Sequence, residues 1–292
     1  MSNSKNLRLK ILMVLAMLSW GLSWTNAKLL GQYSDAPLIM VWRFFFASIS
    51  ITPVLIISKI SFYFKKEESY LILLNALFMV LYNYFYFMGT QIGLAGAGGV
   101  LVTTLNPILT SILLVLFFNN KIFKKDYLGL LLGLLGGAMI IRVWDFSLYN
   151  LVMSGNLYFL LASVSWVFVT IITAKSKNRI SFIAYSFWSY SFAFFLCIPI
   201  SYKEDLFSVF KYGWIFWLNL IILSVVAMSF GTSIYFLAST KLGPKKSSSF
   251  IFLVPLTAIF FAIIFLSEPL QFSTLIGGAL GITSVYLLNK SR

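Results

Sequence analysis

The stretch GGVLVTTLNPILTSILLVLFF, residues 98–118, contains no charged side chain. An α-helix rises about 1.5 Å per residue, so about 20 apolar residues cross a hydrocarbon core about 30 Å thick. Inside lipid, only helices and closed barrels satisfy every backbone N–H and C=O group. The stretch therefore predicts a transmembrane helix, and similar stretches recur along the chain.

The composition extends this prediction to the whole protein. Of its 292 residues, 60% are hydrophobic and 10% are charged, whereas a soluble domain carries about 25% charged residues. We therefore expect an all-α integral membrane protein with ten transmembrane helices. Apolar runs between charged or Gly/Pro-rich breaks place these spans at residues 8–30, 36–58, 70–90, 98–118, 127–143, 155–174, 182–200, 213–239, 247–267 and 273–289.

The basic residues lie in short clusters that predict the orientation. The net charge is +14, and most of the 22 Lys and Arg fall in alternate loops if the N-terminus is cytoplasmic. This asymmetry follows the positive-inside rule, so we expect both termini in the cytoplasm and the chain in the cell inner membrane. The clusters form no stripe on a soluble face. We expect the lipid bilayer, and no nucleic acid, as a partner.

The two halves of the chain resemble each other weakly. A shift of 148 residues places Pro107 on Pro255, Gly129 on Gly277 and Gly133 on Gly281. Chance identity between apolar sequences is the alternative explanation. The match predicts two five-helix repeats, residues 1–146 and 147–292. An odd number of crossings inverts the second repeat relative to the first, as in many secondary transporters.

Several motifs keep a characteristic order along the chain: Trp20-Gly21, Arg43, Asn106-Pro107, Gly155, Ser165-Trp166, Leu253-Val254-Pro255, Glu268-Pro269-Leu270, Gly277 and Gly281. Together they resemble the EamA-like ten-helix transporters of the drug/metabolite transporter superfamily. The resemblance implies two inverted repeats, alternating access around a central cavity, and export or exchange of amino acids, nucleotide-related metabolites or drugs. One position departs, because Asn120 replaces the acidic residue that often matches Glu268.

Seven side chains within the spans are candidates for a substrate cavity: Trp20, Tyr82, Asn83, Tyr86, Asn106, Trp166 and Tyr235. Ser19-Trp20 in span 1 is echoed by Ser165-Trp166 in span 6, at a shift of 146 rather than 148 residues. Both tryptophans offer flat faces to an aromatic or cationic substrate. A buried amide without a partner costs several kcal/mol. We therefore expect Asn83 and Asn106 to face protein or a wet cavity, with helix–helix contact as the alternative. Trp24 is expected at the membrane interface.

Two prolines and two charged residues are candidates for moving parts. Pro107 and Pro255 are expected to remove a backbone hydrogen bond in mid-helix and act as hinges. Arg43 and Glu268 are candidates for a charged gate or anchor. The alternative for Arg43 is snorkelling to the outer interface. The alternative for Glu268 is a solvated helix end.

Glycines spaced by four place small residues on one face of two spans. Gly129, Gly133 and Gly137 lie in span 5, and Gly277 and Gly281 lie in span 10. Such faces permit close helix packing. They predict either packing within the chain or a homodimer contact.

The residue types and motifs that the sequence lacks argue against enzyme activity and metal binding. There is no histidine, Cys197 is the single cysteine, and no P-loop motif is present. We expect no enzyme activity, no metal and no cofactor. Without a mid-membrane carboxylate, uniport or exchange is favoured over proton antiport, with Glu268 as the exception to test. The few charges within the spans argue against a polyanionic substrate, unless Arg43 faces inward. A neutral, zwitterionic or cationic metabolite with an apolar part fits better. A non-transporting sensor or scaffold is the alternative function.

Overall fold

The computed structural model describes residues 2–118, 124–145, 147–177 and 179–290. Within these ranges the chain forms α-helices with short 3₁₀ and π segments, and no strand. The α-helices are α1 Ser2–Leu30, α2 Ala36–Ile57, α3 Ser69–Ile92, α4 Ala95–Phe118, α5 Lys124–Ile141, α6 Leu148–Met153, α7 Asn156–Lys175, α8 Phe182–Ile200, α9 Trp214–Ile221, α10 Ser233–Leu242, α11 Pro244–Phe250, α12 Val254–Leu266 and α13 Phe272–Lys290.

Within the described ranges, six helical stretches are long and apolar enough to cross a membrane: 36–57, 66–92, 95–114, 156–175, 182–200 and 214–242. Three shorter apolar stretches cover residues 127–141, 254–266 and 272–284. Large apolar side chains face outward along the helices, including Leu15, Leu18, Leu131, Leu134, Phe260 and Ile264. The fold is that of a membrane protein, because water would not tolerate so extensive an apolar surface. The count of ten crossings stays a prediction.

Glycine forms the turn that joins α3 to α4, in the Gly-rich break between the predicted spans 70–90 and 98–118. Gly93 ends α3 with an extended backbone, and α4 begins at Ala95. The Gly93 backbone lies against the carbonyl of Ser154, too close for a Cβ atom. Nearby Gly155 has φ +75° and precedes α7, a conformation that glycine adopts without strain.

The glycine faces of α5 and α13 meet inside the chain. A Cβ atom on Gly277 would lie 2.6 Å from the carbonyl oxygen of Gly136, and one on Gly136 would lie 2.7 Å from that of Gly277. Gly133 packs against Ile108 and Ser284. The prediction of close internal packing is therefore confirmed, whereas a homodimer contact through these helices stays a prediction.

The last long stretches are less regular than the sequence predicts. Residues Ile222–Thr232 form a π-helix between α9 and α10. The predicted span 247–267 divides into α11, a 3₁₀ turn at Ile251–Leu253, and α12. Pro255 therefore lies at the start of α12 rather than in mid-helix, where its missing N–H breaks no helical bond. Pro107 does lie inside α4.

Candidate functional site

A small cavity lies at the centre of the bundle, between α1, α2, α3, α4, α7 and the π-helix. Its volume is about 20 Å³, enough for about one water molecule. The sequence candidates lining it are Trp20, Arg43, Tyr82, Asn83, Asn106 and Trp166. Both halves of the chain contribute, because Trp166 and the π-helix follow residue 147. We call this space the central cavity.

Aromatic rings close the central cavity on one side. Trp20 and Trp166 make an edge-to-face contact with ring centroids 5.1 Å apart. Tyr82 lies 4.6 Å from Trp166, and Tyr235 lies 5.1 Å from Trp20. These four side chains and Tyr86, which stacks 5.7 Å from Tyr82, form one continuous aromatic cluster.

Hydrogen bonds hold several of these rings at defined angles. The Trp20 indole N–H donates to the carbonyl of Ala227 in the π-helix, at 2.9 Å. The Tyr86 hydroxyl donates to the carbonyl of Ser23, at 2.6 Å. The Tyr235 hydroxyl and Thr170 Oγ1 lie 2.8 Å apart. The aromatic cluster is therefore ordered by polar contacts as well as by packing.

Arg43 faces the central cavity. Its side chain is 5% exposed, so it does not snorkel to an interface. Nη1 donates to Asn83 Oδ1 at 2.6 Å, and Asn83 Nδ2 in turn donates to the carbonyl of Met79 at 2.7 Å. The guanidinium lies 5.5 Å from the ring centroids of both Tyr86 and Phe87. Hydrogen bonding and cation–π contact thus hold the charge in place.

Two residues of the cavity lining each carry a buried polar atom that has no hydrogen-bond partner. These atoms are Arg43 Nε and Asn106 Oδ1. A buried donor or acceptor without a partner costs about 1–3 kcal/mol. Such groups are expected where a ligand completes the bonding.

Several lining residues carry no signal in the sequence. Trp24, predicted at the interface, is 1% exposed and packs 4.6 Å from Tyr86. Ser23 and Thr103 look like ordinary small polar residues of transmembrane helices. Met228 and Thr232 line the cavity because the π-helix turns them inward. A π-helix has no sequence signature that pattern analysis recognises, although such segments are frequent at functional sites.

Two charged side chains meet at the α3–α4 turn, away from the central cavity. The Glu268 carboxylate accepts hydrogen bonds from the backbone N–H groups of Ala95 and Gly96, at 2.7 and 2.9 Å. Lys28 Nζ donates to the carbonyl of Gly93 at 2.7 Å. The ends of α1 and α12 are thereby fastened to the start of α4. We call these contacts the α4 latch. Asn120, the position that matches Glu268, lies outside the described residues.

A second cavity of about 430 Å³ lies beside the α3–α4 turn. Its lining includes Gly93, Ser154, Asn156 and Gln271. Among its described lining side chains, none carries a buried polar atom without a partner. It differs in this from the central cavity, although Thr25, Asn26, Thr110 and Thr274 carry such atoms outside both linings.

Metal binding finds no support within residues 2–118, 124–145, 147–177 and 179–290. These ranges contain no group of three His, Cys, Asp or Glu side chains close enough to share an ion. Cys197 is buried in α8.

Comparison with known proteins agrees with this architecture. The chain is 28% identical to an uncharacterized transporter, YvbV of Bacillus subtilis (strain 168), over 98% of this chain and 93% of that protein. It is 23% identical to an uncharacterized transporter, YoaV of the same organism, over 92% of each. A crystal structure of a protein with 16% sequence identity superposes with a TM-score of 0.69, covering 97% of this chain and 98% of that one.

The family profile supplies the identification. The profile of the EamA-like transporter family matches residues 8–142 and, separately, residues 153–290. Helices of membrane-spanning length, a closed central cavity contributed by both halves, and two profile matches thus agree, and the protein is a membrane transporter that belongs to the EamA-like transporter family.

Proposed function

We propose that the protein is a secondary transporter that moves a small metabolite across the inner membrane by alternating access around the central cavity, in export or exchange. The cavity itself carries the proposal. It is buried, shared by both halves of the chain, and lined by polar atoms that lack partners. At about 20 Å³ it is far below the roughly 300–1,000 Å³ of ligand sites. The structure would thus represent a closed state between loading and release.

Reciprocal contacts support two inverted repeats, residues 1–146 and 147–292. The 148-residue shift relates Gly129 to Gly277 and Gly136 to Ser284. Ser284 Oγ donates to the carbonyl of Gly129, and the equivalent contact joins Gly277 to Gly136. A contact that recurs with its partners exchanged is expected from two-fold related units. The matched Trp20 and Trp166 also touch, as residues beside such an axis would.

The charge distribution supports ten spans with both termini cytoplasmic. On this topology the α3–α4 turn and Glu268 lie on the outer side, and the clusters at Lys65 and Lys177 lie inside. The α4 latch would then be the closed outer gate. Pro107, at the centre of α4, would be one hinge. The other would be Pro255, because the 3₁₀ turn at Ile251–Leu253 already interrupts the helix just before it.

Coupling follows from the position of the acidic residues. The eight Asp and Glu side chains all belong to helix ends or loops in the sequence, so none is placed to relay protons through the membrane centre. Uniport or exchange is therefore the proposed mode. Among the described residues that line the central cavity, no pair could act as nucleophile and base, which favours transport over catalysis.

Counterflow in proteoliposomes tests the proposal. Purified protein would be assayed for exchange of labelled amino acids, monocarboxylates, nucleosides and organic cations, with and without a pH gradient. We expect saturable exchange of at least one compound, independent of the gradient. Trp166→Ala removes a cavity wall and should lower that exchange about tenfold. Trp188→Ala, in a ring that donates to Phe62 away from the cavity, is the matched control.

The outcomes separate the candidates. Exchange could instead depend on the pH gradient and be lost in Glu268→Gln. That result would replace uniport by proton coupling as the mode of transport. No flux of any compound, with protein that is monodisperse and folded, would favour the sensor or scaffold function over a transporter.

A further inference from the structure

Helix α6 places the second cavity, beside the α3–α4 turn, at the depth of lipid head groups. The helix forms part of the cavity wall, and none of its residues, Leu148–Met153, is buried. Leu148 and Tyr149 are 75% and 70% exposed. Short helices with exposed apolar side chains lie in the membrane interface, where tyrosine is enriched. Ser147 and Asn150, at the start of α6, line the cavity.

The second cavity has the size and the lining of a site for a polar group. Its volume of about 430 Å³ falls within the roughly 300–1,000 Å³ of ligand sites. Its lining includes neutral hydroxyl and amide side chains, which are Ser147, Asn150, Ser154, Asn156 and Gln271. Such groups both donate and accept hydrogen bonds, so they match the hydroxyl groups of a polyol.

Arg142 supplies a positive charge to this lining. Among the described residues that line the second cavity, no other side chain is charged. Arg142 follows the last residue of α5 with φ +58°, a conformation that glycine and asparagine adopt more readily. On the proposed topology it lies on the outer side, where the positive-inside rule expects few basic residues. Neither helix termination nor topology accounts for a cation here, whereas an anionic ligand does.

Beyond the proposed function, we propose that the second cavity binds the head group of an anionic phospholipid, a phosphodiester of a polyol such as phosphatidylglycerol. The Arg142 guanidinium would donate to the phosphate oxygens. It has five N–H donors, so this contact adds to those it already makes. The neutral lining would bind the glycerol hydroxyls, and the exposed side chains of α6 would contact the upper acyl chains. Only the choice of the outer leaflet rests on the proposed topology.

The charge of the site favours this lipid over the zwitterionic phosphatidylethanolamine. One guanidinium balances the single negative charge of a phosphodiester. The ammonium group of ethanolamine would bring a second cation to a lining in which no described side chain is a carboxylate.

A head group in the second cavity would join segments on both sides of the α4 latch. Gly93, whose carbonyl accepts from Lys28, lines the cavity. So does Gln271, which follows Glu268 in the same loop. A ligand that binds only the folded protein raises its melting temperature, so bound lipid should stabilise the protein against heat.

Thermal unfolding of the full chain in dodecyl maltoside micelles, at rising mole fractions of lipid, measures this binding. We expect dioleoylphosphatidylglycerol to raise the melting temperature at about one tenth of the mole fraction that dioleoylphosphatidylethanolamine requires. Glycerophosphoglycerol, the same head group without acyl chains, distinguishes a lipid from a free phosphodiester. It should not raise the melting temperature at the same concentration.

Two variants and a matched control test the assigned contacts. Arg142→Asn removes the cation but suits the left-handed backbone, so the lipid-free protein should keep its melting temperature. Its binding of phosphatidylglycerol should weaken about tenfold. Ala97→Phe places a ring in the cavity with every charge kept, and should also remove the lipid preference. Lys203→Gln, the control, removes a cation outside the cavity lining and should change neither property.

Three results would overturn the inference: equal stabilisation by the two lipids, a preference for phosphatidylglycerol that survives in folded Arg142→Asn and Ala97→Phe, or the same loss in Lys203→Gln. The last would indicate a general attraction of the protein surface to negative charge. Glycerophosphoglycerol that stabilises as well as the lipid would replace the lipid by a soluble phosphodiester. A lipid preference without counterflow would contradict transport and leave this site intact.

Discussion

Replacing Gly277 by leucine should leave almost no folded protein. A Cβ atom at this position would lie 2.6 Å from the carbonyl oxygen of Gly136 and 2.6 Å from Ile140 Cγ1. A backbone carbonyl in a helix cannot move aside, so α5 and α13 would have to separate. Overpacking of this kind costs about 3 kcal/mol or more, a large share of the 5–15 kcal/mol that typically holds a domain folded.

Gel filtration of a fluorescent fusion in detergent, followed by thermal unfolding, would measure the effect. The control is a comparison of Gly277→Ala with the adjacent Gly278→Ala, because each variant adds a single Cβ atom. At Gly278 the nearest atom to a new Cβ is a valine methyl group 3.1 Å away, which can move slightly. The gain in helix propensity, about 1 kcal/mol, should then make Gly278→Ala neutral. A monodisperse Gly277→Leu variant with the wild-type melting temperature would contradict the packing argument.

The second large effect is expected at the α4 latch, where Glu268→Ala should open the outer gate. The Glu268 carboxylate accepts from two backbone N–H groups at the start of α4, where the helix dipole also favours negative charge. Losing these charge-assisted bonds should cost the closed state about 2 kcal/mol. The ratio of open to closed molecules would then rise about 30-fold.

Labelling of a cysteine in the central cavity would report this shift. Thr103 lines the cavity and is 4% exposed. In a Cys197→Ala, Thr103→Cys background, we expect an impermeant maleimide applied outside intact cells to label Glu268→Ala about 30-fold faster. Glu204→Ala removes a loop carboxylate away from the latch and should not change the rate. An unchanged rate in Glu268→Ala would show that the latch does not hold the gate.

The proposed repeat predicts that the opposite gate is weaker. The 148-residue shift relates Ala95 to Gly243 and Gly96 to Pro244. Proline has no backbone N–H to donate, so an equivalent of the α4 latch would lose one of its two bonds. We therefore expect the closed outer gate to dominate in the resting protein. Asn120, the partner that matches Glu268, lies outside the described residues.

The positions of the helices were predictable because lipid imposes a local requirement. Every backbone group must bond within its own segment, so apolar length alone places the helices. α2 and α8 lie within a residue of their predicted bounds. The glycine faces of α5 and α13 were also visible, because a helical period of four exposes them to the same neighbour. Family resemblance added the general role of the central cavity.

The direction and pairing of side chains were not predictable, because they depend on distant contacts. Arg43 faces inward since Asn83, Tyr86 and Phe87 hold it there, and nothing near position 43 encodes those contacts. Trp24 lies in the core for the same reason.

The π-helix and the latch depend in the same way on partners remote in sequence. The carbonyl of Ala227 accepts from Trp20, and the Glu268 carboxylate accepts from the start of α4. Hydrophobicity along one chain determined which segments enter the membrane. Only the tertiary structure brought one cation, one indole N–H and one amide oxygen to the same cavity, because side-chain direction is decided by the helices packed around it.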